Sequence, residues 1–359
     1  MRIFVVINTG VLGGAEQFLK MLVRHFYSVG YHVDVFFLKD TQKHNWADLE
    51  GKVNMIINNS SSELKGIIPL LKYIRKSSGI YDYVFSSHIH IIGFLGILRR
   101  LGVLKTQFFI GRESTIRFKR VKGVKISFYK LLYKLGYPSL DLLICQTQLM
   151  REELLRNMPH LRAYTHVIPN PISIEEIELR QTMTFDSVLP DKFIVSAGRL
   201  IHEKGFDVLI EAFAIFKQKL GGFKLVILGD GHLKDSLYQL VIDKEMQDEV
   251  IFLGHVNNVI PYFKRATACV VSSRIEGFPN VLLQMMSQNT KVVSTYCAGG
   301  IKEINGIEGC ATGDGLALAN SLIKVVLSET IHNRSYFDEE LKKRSIENFF
   351  RNVKEKLHD

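Results

Sequence analysis

The sequence predicts an α/β protein of two facing, doubly wound parallel sheets with a cleft between them. Three observations carry that prediction. At 359 residues the chain is longer than one ordinary core organises, so two domains are expected. Short apolar, β-branched runs alternate with segments of helical periodicity, the pattern of parallel sheets covered by helices on both faces. That alternation occurs as two successive series, each opening on a strand, a glycine-containing loop and a helix.

The first series begins with a strand over 2–7, a glycine-rich loop over 8–16 and a helix over 17–27, which Gly30 ends. A second strand over 32–38 completes the opening β-α-β. A short strand over 53–57, a helix over 64–77 and a strand over 81–87 follow. Further strands are expected over 106–110, 140–145 and 166–168, with a helix over 148–157, before the turn Pro169-Asn170-Pro171. Residues 173–190 are acidic, then polar, and poorly periodic, so they read as a surface linker. The second series places strands over 192–197, 224–228, 250–253, 266–271 and 291–295, with helices over 206–220, 233–244 and 260–265. Charged amphipathic helices fill 338–358. Domains of 1–172 and 173–339 are therefore expected.

Composition narrows the function classes. A hydrophobic content of 47% with 8 prolines argues for an ordered globular chain. The longest apolar run, His90 to Leu98, is too short to span a bilayer. Met1 to Ile7 runs straight into Gly13-Gly14 with no small-residue cleavage site, so it reads as a first strand and not a signal peptide. Cys145, Cys269, Cys297 and Cys310 show no metal-ligand spacing, and reduced thiols of a cytosolic protein are expected. The net charge of +10 and pI near 9.3 favour an acidic partner: nucleic acid, anionic lipid or a phosphorylated small molecule. No nucleic-acid motif and no solenoid repeat is present. Between Arg112 and Lys134, basic residues (Arg112, Arg117, Lys119, Arg120, Lys122, Lys125, Lys130, Lys134) outnumber the single acid Glu113 and interleave with Phe118, Phe128, Tyr129 and Leu131. That pattern fits a segment lying on an anionic membrane surface, and equally a solvated helix with one core face.

Four constellations carry chemistry. Glu276 follows the buried-strand run Ala266 to Val271, and Gly277 and Pro279 then break the chain, with Pro279 suited to the first turn of a new helix. A carboxylate at a strand's carboxyl end beside a helix N-terminus suits a ligand with hydroxyls and a phosphate. Arg199 and Lys204, bracketed by Gly198 and Gly205, can converge on a diphosphate as a planar fork and a point charge. Gly13 and Gly14 let backbone N–H groups approach a ligand closely. His88 and His90 close the strand over 81–87, where they either line a ligand site or serve the next helix and the core.

The stretch from Ser272 to Gln284, the Gly-Arg-x4-Lys-Gly segment Gly198 to Gly205 and the loop Gly13-Gly14-Ala15-Glu16 together resemble the retaining glycosyltransferases of GT-B fold, of the family 4, group 1 type. The resemblance covers almost the whole chain. It implies two Rossmann-like domains, the first for the acceptor and the second for the nucleotide sugar, with a last helix over about 340–359 crossing back onto the first. Glu276 matches the first glutamate of that family's Glu-x7-Glu signature and would contact the donor sugar. The second glutamate, which contacts the ribose, is here Gln284, whose amide can still bond two hydroxyls without the strength of a charge. The implied donor site further includes Gly13, Gly14, Gly198, Gly229, Gly231, His255, Val256, Gly277, Phe278, Pro279, Asn280 and Val281. His88 and His90 would stand near the reacting sugar. No Asp-x-Asp metal site is evident, so Arg199, Lys204 and a helix dipole would take the place of a metal, and no cofactor is expected. The resemblance implies front-face attack with retention, the departing phosphate taking the acceptor's proton. The function expected is transfer from a UDP-sugar to a lipid-linked glycan by a cytoplasmic enzyme peripheral on the membrane's cytoplasmic face, with Arg112, Arg117, Lys119, Arg120 and Lys122 meeting that surface or the acceptor. A nucleotide-sugar epimerase or phosphorylase of similar fold, or a non-catalytic nucleotide-sugar-binding subunit, is the competing expectation.

Overall fold

The computed structural model describes residues 1–39, 43–58, 60–116, 118, 123–182 and 189–358. The chain divides into two compact units, Met1–Pro171 with Ile346–Asp359, and Ile172–Ser345. The first holds strands β1 (Arg2–Thr9), β2 (His32–Lys39), β3 (Asn54–Ile57), β4 (Tyr81–Ser86), β5 (Thr106–Arg112), β6 (Leu142–Cys145) and β7 (Thr165–Val167). They pair in parallel in the order β3-β2-β1-β4-β5-β6-β7. The second unit holds β8 (Phe193–Ala197), β9 (Lys224–Leu228), β10 (Val250–Gly254), β11 (Ala268–Val271), β12 (Val292–Thr295) and β13 (Glu308–Cys310). These are also parallel, in the order β10-β9-β8-β11-β12-β13. This is the doubly wound α/β architecture that the alternation predicts. Strand order reverses between β1 and β4 in one sheet and between β8 and β11 in the other, and ligands bind such sheets at the carboxyl ends of those strands.

The apolar runs are strands because both faces are covered. Ile3 to Ile7 of β1 are fully buried, as are Cys269 and Val270 of β11, each large side chain contributing roughly 1.5–3 kcal/mol by leaving water. The final helix, Ile346–His358, turns the stripe Ile346, Phe349, Phe350 and Val353 inward. Its Phe349 meets Phe18 edge-on at 5.3 Å, and Phe350 meets Phe26 at 4.9 Å, which fixes this helix to the helix Gly14–Ser28 of the first unit. The helix Ile89–Arg100 is apolar nearly all round because a second helix, Val124–Leu135, covers it. The covering is close: a Cβ on Gly96 would lie 2.1 Å from the carbonyl oxygen of Gly136.

Two expectations are corrected. The stretch expected as a linker contains a helix, Ile174–Gln181, started by Ser173, whose hydroxyl accepts from the Glu176 N–H at 3.2 Å. Only Ile177 of this helix is buried, and one inward side chain in two turns leaves no apolar period to read. Residues 183–188 of that stretch lie outside the described residues. Pro279 is the residue before the helix Asn280–Gln288, not in its first turn, with an extended backbone at φ −76° and ψ 105°.

Candidate active site

In the second unit, the loops after β8, β9, β10 and β11 come together at the carboxyl end of the sheet. Gly198 N donates to Leu228 O at 2.9 Å, Leu200 N to Asp230 O at 2.9 Å, and Gly229 N to Gly254 O at 2.7 Å. The contacts leave no room for side chains. A Cβ on Gly229 would be 1.9 Å from Gly198 O, and one on Gly231 would be 2.5 Å from Leu200 O. Arg199 and His255 project from this surface and are exposed, and Val256 is half-buried against the core.

The Lys204 turn is locked onto the Glu276 loop. Gly205 adopts a left-handed backbone at φ 63°, and a Cβ there would be 2.3 Å from Ser272 O. Ser272 Oγ donates to Lys204 O at 2.9 Å, and Arg274 N to Glu203 O at 2.8 Å. Arg274 also grips Asp207 through both oxygens at 2.7 and 2.6 Å, which raises the guanidinium's pKa and lowers the carboxyl's. The consequence is an ion pair between Lys204 Nζ and Glu276 Oε1. Ser273 Oγ donates to the same oxygen at 3.0 Å, Glu276 N is bonded to Cys297 O at 2.8 Å, and Thr295 Oγ1 holds Ser273 O at 2.6 Å. Burial, and then the Glu276 carboxylate, push the Cys297 thiol up to about 12, so it stays protonated beside the site. The helix Asn280–Gln288 begins four residues beyond Glu276. Gly277, Phe278 and Pro279 are buried, with the Phe278 ring 4.5 Å beneath the Arg344 guanidinium, whereas Asn280, Val281 and Gln284 are half-buried.

In the first unit, Gly13 and Gly14 lead into the helix Gly14–Ser28 after β1, and His88 is the residue before the helix Ile89–Arg100 after β4. His88 Nε2 lies 2.9 Å from Oε1 of the buried Glu16. A Cβ on Gly13 would be 2.7 Å from Glu16 Oε2, so this glycine makes room for a carboxylate. His90 Nε2 is 3.4 Å from Glu63 Oε2, with the two imidazole centroids 6.0 Å apart.

Arg112 is corrected. Expected on a basic surface, it is 3% exposed at the end of β5. Its guanidinium lies 4.1 Å over the Phe18 ring and donates to Asn170 Oδ1 at 2.6 Å. Burial lowers its pKa, against the opposing effect of Glu113. Basic residues that follow a parallel strand can be drawn into the sheet's end, and composition does not separate them from their exposed neighbours. Arg117, Lys119, Arg120 and Lys122 lie outside the described residues. In the helix Val124–Leu135, Phe128, Leu131 and Leu135 are 52%, 50% and 44% exposed, beside exposed Lys130 and Lys134.

Glu16, Ser273, Arg274 and Asp207 escaped the sequence reading. Glu16 ends the Gly-Gly-Ala-Glu loop, and Ser273 and Arg274 lie inside the stretch around Glu276. Their positions were visible, but their partners are distant in sequence. All four cysteines are free and buried. Among the described residues no group of three or more His, Cys, Asp or Glu side chains is placed to hold a metal ion, and no helix is long and apolar enough to cross a membrane.

Residues 12–176 match the family model Glycosyltransferase Family 4, and residues 181–344 match Glycosyl transferases group 1. An uncharacterised glycosyltransferase of Methanocaldococcus jannaschii is 32% identical over 198 residues, which is 53% of this chain and 49% of that protein. The match thus spans about half that relative's length. The N-acetylgalactosamine-N,N'-diacetylbacillosaminyl-diphospho-undecaprenol 4-alpha-N-acetylgalactosaminyltransferase of Campylobacter jejuni is 29% identical over 308 residues, 82% of this chain and 80% of that protein. Among solved structures, Anabaena HepE in complex with UDP and glucose superposes with a TM-score of 0.78 at 19% identity, over 100% of this chain and 99% of that one. The chain belongs to the GT-B fold glycosyltransferases, its first half of the family 4 type and its second half of the group 1 type.

Proposed function

We propose that this protein transfers a sugar, with retention, from a UDP-sugar to a lipid-linked glycan. The observation that carries the reading is the Lys204–Glu276 pair, held rigidly where strand order reverses in the second sheet, beside the exposed Arg199. Glu276 would accept bonds from donor-sugar hydroxyls, while Lys204, Arg199 and the N–H groups opening the helix Asn280–Gln288 would hold the diphosphate. A departing nucleoside diphosphate gathers negative charge, so fixed cations at that position stabilise the transition state more than the ground state. Gly198, Gly229 and Gly231 would admit phosphate and ribose close to backbone, His255 and Val256 would flank the base, and Gln284 would bond the ribose. In the first unit, Gly13, Gly14, His88 and His90 would serve the reacting sugar and the acceptor. The acceptor's proton passes to a departing phosphate oxygen, so no separate base is assigned.

UDP is the preferred nucleotide because Anabaena HepE was solved with UDP and glucose, and a lipid-linked acceptor because the Campylobacter relative's substrate is diphospho-undecaprenol-linked. The outer face of the helix Val124–Leu135, with three exposed apolar residues and two lysines, suits a peripheral enzyme on the cytoplasmic leaflet. The test is a panel of UDP-glucose, UDP-galactose and their N-acetylated counterparts, incubated with extracted lipid-linked sugars and read by mass spectrometry. A mass gain of one sugar on a lipid acceptor is expected. Conversion of one UDP-sugar into an isomer, with no transfer, would replace this reading with an epimerase.

A further inference from the structure

Arg344 stands where the chain is about to leave the second unit, which ends at Ser345. It follows the helix Asn333–Lys343, whose Phe337 and Leu341 are buried in the same apolar cluster as Phe278, Leu282 and Leu283. Its carbonyl oxygen accepts from Ile172 N at 2.8 Å, and Ile172 pairs with Ser345 in a parallel bridge. Ile172 is where the chain enters this unit, so its entry and its exit are bonded to each other beside Arg344. From that anchored backbone the guanidinium lies 4.5 Å over the Phe278 ring, while Nε donates to Glu340 Oε1 at 2.6 Å. Phe278, flanked by Gly277 and Pro279, lies between Glu276 and the helix Asn280–Gln288.

An arginine is not the residue that stability alone selects here. Its side chain is 9% exposed, yet Nη1 is buried with no hydrogen-bond partner. A bare buried N–H is costly, and an apolar side chain of similar length would avoid it. What arginine supplies and methionine does not is a planar cation, held over a ring and oriented by a carboxylate. Such departures from the most stable choice concentrate where function depends on geometry. The geometry at stake is that of Glu276. Ser273 and Cys297 hold it on one side, and the turn through Phe278 holds it on the other.

We propose that Arg344 is a positioning residue for sugar transfer: it clamps Phe278, and through it the turn that sets Glu276 against the opening N–H groups of the helix Asn280–Gln288. The proposal rests on the glycosyl-transfer reading. The full chain is compared with Arg344→Met, Arg344→Lys, Phe278→Leu and the double variant Arg344→Met with Phe278→Leu. Arg344→Met and Phe278→Leu should each lower kcat about tenfold with donor KM within about threefold, because a displaced Glu276 costs more in the transition state than in the ground state. The double variant should be no slower than the slower single one, since both substitutions remove one clamp. Arg344→Lys, which keeps the charge without the planar fork, should recover part of the loss. Arg344→Met should melt no lower than wild type. Hydrogen exchange at the Gly277, Phe278, Asn280 and Val281 amides should be about tenfold faster in Arg344→Met, with β11 unchanged. Wild-type kcat and exchange in both single variants, or multiplied losses in the double variant, would overturn the clamp. A melting temperature that falls while kcat holds would make Arg344 a residue of stability only. Should Arg344→Met not fold, Arg344→Lys and Phe278→Leu carry the same comparison. Absence of wild-type turnover with every UDP-sugar would count against the transfer reading, whereas exchange at the turn judges the clamp by itself.

Discussion

Lys204 and Glu276 neutralise each other, and a diphosphate binding there would compete with Glu276 for the ammonium. Release of the carboxylate as the phosphates bind would then turn it toward the sugar. Arg199→Ala and Lys204→Ala should each lower turnover by on the order of 10²-fold and weaken donor binding, since each would remove a charge-assisted contact proposed to the leaving group. Wild-type rates in folded variants would remove this clamp. If these two side-chain cations serve the leaving group as proposed, turnover should also survive EDTA. Full loss on chelation, restored by Mn²⁺ or Mg²⁺, would show that they do not suffice. Gln284→Glu should retain activity and tighten nucleotide binding by about 1 kcal/mol, the difference between a neutral and a charged acceptor for a ribose hydroxyl. An inactive, folded Gln284→Glu would take the ribose away from this position. At this scale the sequence was legible where identity and local spacing were enough, as in the loop placement of Glu276. It was opaque where a partner decides, as with Glu16 and His88, which are far apart in sequence, or Arg112, whose burial depends on Phe18 and Asn170.

Elements hold these residues by backbone contact more than by side chains. Gly205 joins the two loops, lying in the left-handed region with Ser272 O in the way of any side chain. Gly205→Ala should therefore cost about 2–3 kcal/mol of stability and separate the Lys204 turn from the Glu276 loop. A melting curve and the kcat of the same variant check both halves, and unchanged values would mean that the two loops are not rigidly coupled. The strands were legible because buried parallel strands are continuous apolar runs. The segment Glu308–Cys310 was not, being a three-residue edge strand with one buried side chain. The helix Gly315–Leu327 is equally hard to read in the sequence, although Asp314 caps it with an oxygen that accepts from Ala317 N at 2.9 Å. Its buried positions, Leu318, Ala319, Ser321, Leu322 and Val325, include two small side chains that blur the period.

For the whole molecule, the net charge of +10 matters most where it meets an apolar face. The helix Val124–Leu135 buries Tyr133, whose hydroxyl donates to Glu113 at 2.9 Å, and leaves Phe128, Leu131 and Leu135 outward at i, i+3 and i+7. Lys130 and Lys134 are exposed on the same helix. Lysines near an anionic leaflet contribute about 1 kcal/mol each, an attraction that salt screens, while apolar side chains entering the interface add a salt-insensitive part. The chain should therefore sediment with vesicles containing anionic lipid and weakly with neutral ones, and added salt should reduce but not abolish binding. Lys130→Gln with Lys134→Gln should remove the salt-sensitive part, and Phe128→Ser with Leu131→Ser the remainder. Both double variants should slow transfer to a lipid-linked acceptor in membranes while sparing donor hydrolysis, because neither pair lies among the residues assigned to the donor. Equal sedimentation with neutral and anionic vesicles, or unchanged transfer by both variants, would take the membrane away from this helix and make a soluble acceptor the better reading.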